Sequence, residues 1–158
     1  MGLPLAVTDA TVDDAGELLT LQRAAYLSEA RLHDDFALPP LTETLDEVRR
    51  AIAATVVLKA VHGTRIVGAV RSRRDGDTCH VGRLAVVPDL QGHGIGTRLL
   101  IEVEARFAGT VSRFELFTGP KSDANLRLYR QLGYVDIPPP LGADRLVYLE
   151  KRAPRRTG

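Results

Sequence analysis

The sequence predicts an α/β domain of seven strands and four helices in the order βααβββαβαββ. Three observations predict it. The hydrophobic period is helical over residues 12–29 and 44–55, then becomes β-like from Val56 onward. Gly63-Thr64 and Asp75-Gly76-Asp77 punctuate the β-rich stretch as turns. Residues 84–100, LAVVPDLQGHGIGTRLL, read as a strand, a tight glycine loop and a helix.

The elements follow in order. Leu3–Val7 is the expected first strand. Thr11 can cap the next helix, with Asp14 three residues on as a capping box. Leu18, Leu21, Ala25 and Leu32 recur at helical intervals. Pro39 and Pro40 break residues 33–44 into a loop, and Thr44–Thr55 forms a second helix with Leu45, Val48 and Ile52 on one face. Val56–His62, Ile66–Ser72 and Thr78–Val87 are strands joined by the two turns. The helix behind the glycine loop turns Ile95, Leu99, Leu100, Val103 and Phe107 inward, exposes a Glu102–Arg106 pair and stops at Gly109. Phe114–Thr118 is a strand. Ser122 then caps a helix over 123–132, ending at Gly133. Tyr134–Ile137 and Leu146–Glu150 close the sheet. The domain is expected to span 1–152, with 153–158 as a basic, frayed tail.

Composition narrows the function classes. The 158 residues suit one domain, with 44% hydrophobic and 26% charged residues. A net charge of +1 gives no sign of a nucleic-acid partner. Cys79 stands alone, so an internal disulfide and a zinc cluster are both excluded, and it is expected to be a small buried hydrophobe. No metal is expected. The acidic residues Asp9, Asp13, Asp14 and Glu17 argue against a signal peptide, and no apolar run is long enough for a membrane span. A soluble cytoplasmic protein is the expectation.

The glycine loop carries the chemistry. Glycines let the backbone approach a ligand, and the helix behind them offers unpaired N–H groups and a positive dipole end, a combination suited to phosphate. A dinucleotide fingerprint needs GxGxxG, and a P-loop needs Gly-Lys-Ser/Thr; neither is present. From the loop alone, an ordinary strand-to-helix turn stays open. However, Gln91, Gly92, His93, Gly94, Ile95 and Gly96 resemble the acyl-coenzyme A pyrophosphate loop of the GCN5-related N-acetyltransferases (GNAT). A second segment, SDANLRLYRQLGY at 122–134, is similar to a later motif of that family at Leu128, Tyr129, Leu132, Gly133 and Tyr134. It departs at Ser122, where many members carry Asn; Asn125 lies one turn before Tyr129 instead. The element order resembles the family as well.

The resemblance implies a mixed, mostly antiparallel sheet whose fourth and fifth strands splay around the cofactor. It implies acetyl-CoA as cosubstrate, held by Leu84, Ala85, Val86, Gln91, Gly92, His93, Gly94, Ile95, Gly96, Thr97 and Asn125. It also implies direct attack of a neutral amine on the thioester. A backbone N–H near Leu84–Val86 then meets the charge developing on the carbonyl oxygen, worth roughly 3 kcal/mol. Tyr129 is the implied general acid for the leaving thiolate. Reference values near 8.5 for a thiol and 10 for tyrosine make that transfer uphill by ~2 kcal/mol, which a lowered Tyr129 pKa would remove. A packed core tyrosine is the alternative reading. An alkylammonium near 10.4 is neutral about once in 2,500 molecules at pH 7, so a base or water chain is needed. Glu115 is the candidate, with a solvated strand carboxylate as its alternative, and His80 the runner-up.

The acceptor is expected to be a small-molecule amine or a protein or peptide amine. Glu29, Asp34 and Asp35 could hold a cationic amine or form a solvated loop, the reading that charge patterning favours, whereas Arg71, Arg73 and Arg83 could favour an acceptor with a carboxylate. His93 and Arg98 lie where they could touch phosphates, and exposed loop positions without a ligand role read the same. An acyl-CoA sensor without turnover is the competing function, which an intact Tyr129 argues against. The family resemblance also implies a homodimer, though no stripe in the sequence marks its interface.

Overall fold

The computed structural model describes residues 2–154. Seven strands form one sheet in the spatial order β1-β2-β3-β4-β5-β7-β6. They are β1 Ala6–Asp9, β2 Val56–His62, β3 Arg65–Asp75, β4 Thr78–Val86, β5 Arg113–Thr118, β6 Val135–Ile137 and β7 Val147–Arg152. Every neighbouring pair is antiparallel except β4 and β5, which run parallel. Five helices accompany them: α1 Ala15–His33, α2 Pro39–Thr42, α3 Leu45–Ala54, α4 Ile95–Arg106 and α5 Asp123–Gln131. No helix among the described residues is long and apolar enough to cross a membrane. The expected mixed α/β sheet is therefore present, with one helix more than the sequence suggested.

That extra helix is α2, inside the expected loop. Pro39 and Pro40 occupy its first turn, where a missing N–H removes no helical hydrogen bond, so the prolines start a helix instead of breaking one. The first strand begins at Ala6 and not Leu3, because Pro4 has no N–H to give the ladder; its carbonyl lies 2.9 Å from His62 Nδ1. Thr11 N–H donates to Asp14 Oδ2 at 2.8 Å, as the capping box requires, but it caps a short 3₁₀ turn that leads into α1. The Glu102–Arg106 pair does not form. Arg106 reaches Asp9 of β1 through a two-pronged ion pair at 2.9 and 3.0 Å, and Glu102 takes Arg98 at 3.0 Å. The last strand continues past Glu150 to Arg152, because Lys151 Nζ is held 2.7 Å from Glu104 Oε1. The expected basic tail lies largely outside the described residues.

The strands alternate inward and outward, so successive β3 residues face opposite layers. Gly68 faces α4: a Cβ placed there would stand 2.7 Å from Ile95 Cγ2. Ala69 and Arg71 face α1 and α3, beside Leu18, Leu21 and Val48. The sheet is thus sandwiched. The expected inward row of α4, Ile95, Leu99, Leu100, Val103 and Phe107, is buried. Each such large aliphatic residue contributes ~2 kcal/mol by leaving water. Cys79 is 0% exposed, and burial pushes its thiol up to about 12, as befits a packed hydrophobe.

Two irregularities place the site. First, β4 and β5 pair only over Thr78–His80 against Arg113–Glu115, so beyond His80 the β5-facing edge of β4 has no strand beside it. Second, β4 bulges. Ala69 opposes Ala85 and Arg71 opposes Gly82, so Arg83 and Leu84 together face Val70. Arg83 takes the left-handed conformation, φ +51°, which a non-glycine residue adopts at an energetic cost. Past the divergence, the C-terminal end of α1 crosses to the β5 side. Ser122 Oγ donates to the Glu29 carboxylate, Lys121 N–H donates to His33 Nε2 at 3.2 Å, and His33 Nδ1 lies 2.9 Å from the Glu29 carbonyl. A Cβ on Gly119 would collide with the His33 ring, so only glycine fits under it.

Candidate active site

A cleft of about 540 Å³ opens where β4 and β5 part. Its walls are the α1 residues Tyr26 and Glu29, the β4 residues Leu84, Ala85 and Val86, the glycine loop, and Asn125 with Leu128 of α5. Of the eleven positions expected to hold the cofactor, ten line this cleft: Leu84, Ala85, Val86, Gln91, Gly92, Gly94, Ile95, Gly96, Thr97 and Asn125. His93 does not; it is exposed. Arg98 is turned away as well, committed to Glu102.

The loop is shaped by its backbone. Gly94 has φ +79° and immediately precedes α4, a geometry that suits glycine alone among common residues without strain. The first helical bond in its wake is Arg98 N–H to Gly94 O at 3.0 Å. The N–H groups of Ile95, Gly96 and Thr97 therefore have no acceptor within the helix and sit on the cleft wall at its positive end. Gly96 lies inside α4 and not in the loop; a Cβ there would approach Leu128 Cδ2 at 3.3 Å, so its absence lets α5 close on α4. This donor set fits a diphosphate, and the β4 edge beyond it fits an extended amide-bearing arm.

Asn125, and not Ser122, is the polar side chain that α5 gives the cleft. Its Nδ2 lies 3.4 Å from Thr118 Oγ1. Ser122, expected as a helix cap, makes no capping bond, because its hydroxyl is committed to Glu29. Tyr129 sits one turn beyond Asn125, 5% exposed, behind the residues that line the cleft, its ring 6.2 Å from that of Tyr134. Burial first, then the neighbouring Tyr26 and Glu29, raise its phenol above the ordinary tyrosine value. The lowering that would have eased proton transfer is absent; the low-dielectric packing that positions the ring works the other way. Tyr134 is raised also, by burial and by Glu104, to which its hydroxyl donates at 3.2 Å.

Glu115 is not brought to the cleft. It lies level with His80 in the last pair before β4 and β5 part, 2.8 Å from Arg113, and does not line the cleft. It does share its face with Phe117, as its parity requires, since Phe114, Leu116 and Thr118 fill the buried face. The carboxylate that does line the cleft is Glu29. Sequence reading placed Glu29 in the loop before Pro39 and left it as one acidic residue among several. Its only distinguishing signal was its position one turn after Tyr26. Asp34 and Asp35, read with it, are exposed, and Asp35 caps Ala37 N–H at 2.9 Å.

A second polar group lies up-strand. Arg71 grips Glu43 through two bonds of 3.0 and 2.9 Å, and Arg83 approaches the same carboxylate at 3.6 Å. Gln22 Nε2 donates to Glu43 Oε1 at 3.1 Å and to Pro40 O at 2.9 Å, which ties α2 to α1. Burial pushes the Glu43 carboxyl up, but the hydrogen bonds from Arg71 and Gln22 and the two guanidinium charges outweigh it and hold it below the usual range. Arg71 Nε is buried without a partner, beside a pocket of about 20 Å³, the room of one water molecule. Arg73, grouped with these arginines on sequence, is exposed and pairs with His80 across the ladder instead.

Comparison with known proteins agrees with this geometry. Residues 17–134 match the Acetyltransferase (GNAT) family, and the chain belongs to that family. The IAA acetyltransferase of Azospirillum brasilense is 40% identical over 89 residues, 53% of this chain and 58% of that protein, so the match spans little more than half of its length. The PaiA N-acetyltransferase of Thermoplasma acidophilum, solved in complex with coenzyme A, superposes with a TM-score of 0.81 at 14% identity, covering 94% of this chain and 99% of that one. YncA of Salmonella typhimurium, solved with its cofactor acetyl-CoA, gives 0.75 at 19% identity over 98% and 97%. The GNAT domain of PAT from S. lividans gives 0.74 at 26% identity over 92% and 89%.

Proposed function

We propose that the protein is an acetyl-CoA-dependent N-acetyltransferase acting on a primary amine by direct attack. The observation that carries the reading is the cleft itself: one continuous wall runs from the free N–H groups of α4, along the unpaired edge of β4, to Glu29. Acetyl-CoA supplies an activated acetyl thioester when bound.

The chain's own groups divide the work. The N–H groups of Ile95, Gly96 and Thr97 hold diphosphate, and Asn125 meets the arm that follows it. A backbone N–H on the free edge of Leu84–Val86 faces the carbonyl oxygen, where a preorganised donor is worth roughly 3 kcal/mol. Glu29, in place of Glu115, receives the proton that an ammonium must lose before its nitrogen can attack. Tyr129 Oη holds the proton the departing sulfur needs. Its raised pKa keeps that proton in place at every physiological pH, and the same dry surroundings make a departing thiolate more basic than in water. In balance, an N–C bond forms and the C–S bond breaks. The acceptor ammonium loses two protons, the sulfur gains one, and one is released.

The test is free CoA release from acetyl-CoA across a panel of amino acids, polyamines, aminoglycosides and peptides, with acetylated product identified by mass. Release above background for one class, weakened by Tyr129→Phe, is the expected result. Acetyl-CoA binding without release from any acceptor would overturn it in favour of an acyl-CoA sensor.

A further inference from the structure

The cleft carries one carboxylate, Glu29, and two guanidinium groups line the small pocket beside it. Ala85 lines both the cleft and the small pocket that holds Arg71 and Arg83, so the two sites meet across one residue of β4. Tyr26 joins them on the α1 side. It lines the cleft, and it lies within electrostatic reach of Arg83 and Arg71 on one flank and Glu29 on the other. The bulge aims Arg83: at φ +51° the strand turns its side chain to the face that carries α1. Of the cationic groups, Arg71 commits both terminal nitrogens to Glu43. Arg83 is left with a single 3.6 Å approach to that same carboxylate. The remaining charge within its reach, Glu47, is exposed and accepts from Thr44 N–H at the start of α3. The Arg83 side chain keeps 23% of its surface exposed, and burial together with the charge of Arg71 disfavours its cation. An anion arriving there offsets the charge of Arg71.

We propose that the acceptor is an amine that also carries a carboxylate, an amino acid, whose carboxylate docks on Arg83 while its nitrogen faces Glu29 beside Leu84–Val86. This rests on the acetyltransferase reading above. It reconciles the two groups that conflict when read from sequence, since a zwitterion needs an acid and a base at once. Arg83 lies two residues up-strand of Ala85, the residue the two sites share. The water-sized pocket at Arg71 Nε is too small for a carboxylate, so the anion comes from the cleft side and leaves the Arg71–Glu43 pair intact. Arg83 is thereby a specificity residue, and its bidentate donors set the class of substrate.

The experiment needs no variant to begin. Acetyl transfer is measured for matched sets of acceptors, each an amino acid, its carboxamide and its decarboxylated amine, such as phenylalanine, phenylalaninamide and phenethylamine, or arginine, its amide and agmatine. The expected kcat/KM of the acid exceeds that of its amide on the order of 10- to 100-fold, as charge-assisted hydrogen bonds imply. Arg83→Gln then collapses the ratio toward one, chiefly through acceptor KM, and Arg83→Lys restores part of it; melting temperature and acetyl-CoA affinity serve as folding controls. Amides or decarboxylated amines used as well as the acids would overturn the proposal and leave the transferase standing, and so would an acid preference that survives Arg83→Gln. No CoA release from any acceptor, with acetyl-CoA bound, would overturn both.

Discussion

The two ends of the cleft are built from different materials. The glycine-loop end is main chain: helix N–H groups, a positive-φ glycine and an unpaired strand edge. The Arg83 end is side chain, assembled from α1, α2, β3 and the β4 bulge through the contacts of Glu43, Arg71, Arg83 and Gln22. A backbone site tolerates change in most side chains that border it. A side-chain site can be altered one residue at a time. The fold can therefore keep its cosubstrate and exchange its acceptor.

The sharpest way to break this contrast is at the junction of the two ends. Tyr129→Phe should lower kcat by about 10²–10³-fold, the range of general acid catalysis, with acetyl-CoA affinity measured by calorimetry changed less than about twofold. Because burial raises the Tyr129 phenol, the wild-type kcat should show no alkaline loss through the ordinary tyrosine range near pH 10. A fall well below pH 9 would remove Tyr129 as the acid. Next, Glu29→Gln should reduce kcat/KM on the order of 100-fold, with Glu115→Gln close to neutral. The reverse ranking of those two variants would return the base role to Glu115.

Smaller effects separate the two ends in stability. Gly68→Ala drives a methyl against Ile95 and Leu99 under the glycine loop. Overpacking of this kind costs about 2 kcal/mol, near 6 °C in Tm for a chain this size, and should weaken acetyl-CoA more than acceptor. At the other end, the Glu43 carboxyl sits below its unfolded value, so its stabilisation is complete above that value and drains away as pH falls through the lower, folded one. Acid titration of Tm should show that loss below about pH 4.5 in the wild type and less of it in Glu43→Gln.

The same contrast decided what was legible beforehand. The main-chain end announces itself locally: Gln91 to Gly96 and the Leu-Gly-Tyr ending at 132–134 are contiguous, and ten of its expected positions line the cleft. The Arg83 end is non-local. Glu43 and Arg71 lie 28 residues apart in the chain, and the bulge that turns Arg83 has no motif of its own. Glu115 was favoured because it lies in the strand before the Tyr129 helix, with the parity of Phe117, and these name a strand and a face of the sheet but not the height at which two strands part. The prolines of α2 failed as punctuation because a helix's first turn accepts them.

The crossing of α1 has one more consequence. The sheet consists of two halves joined over three residue pairs at β4 and β5. Near its start, α1 is anchored to the first half, where Glu17 accepts from Ile66 N–H at 2.7 Å; at its end Glu29 and His33 grip the second. The helix is a tie beam across an open joint. With the bonds of Glu104 to Lys151 and Tyr134 and the shared core, the nineteen residues of α1, landing on the bare backbone of Gly119, tie the half that holds the arginines to the half that holds Tyr129.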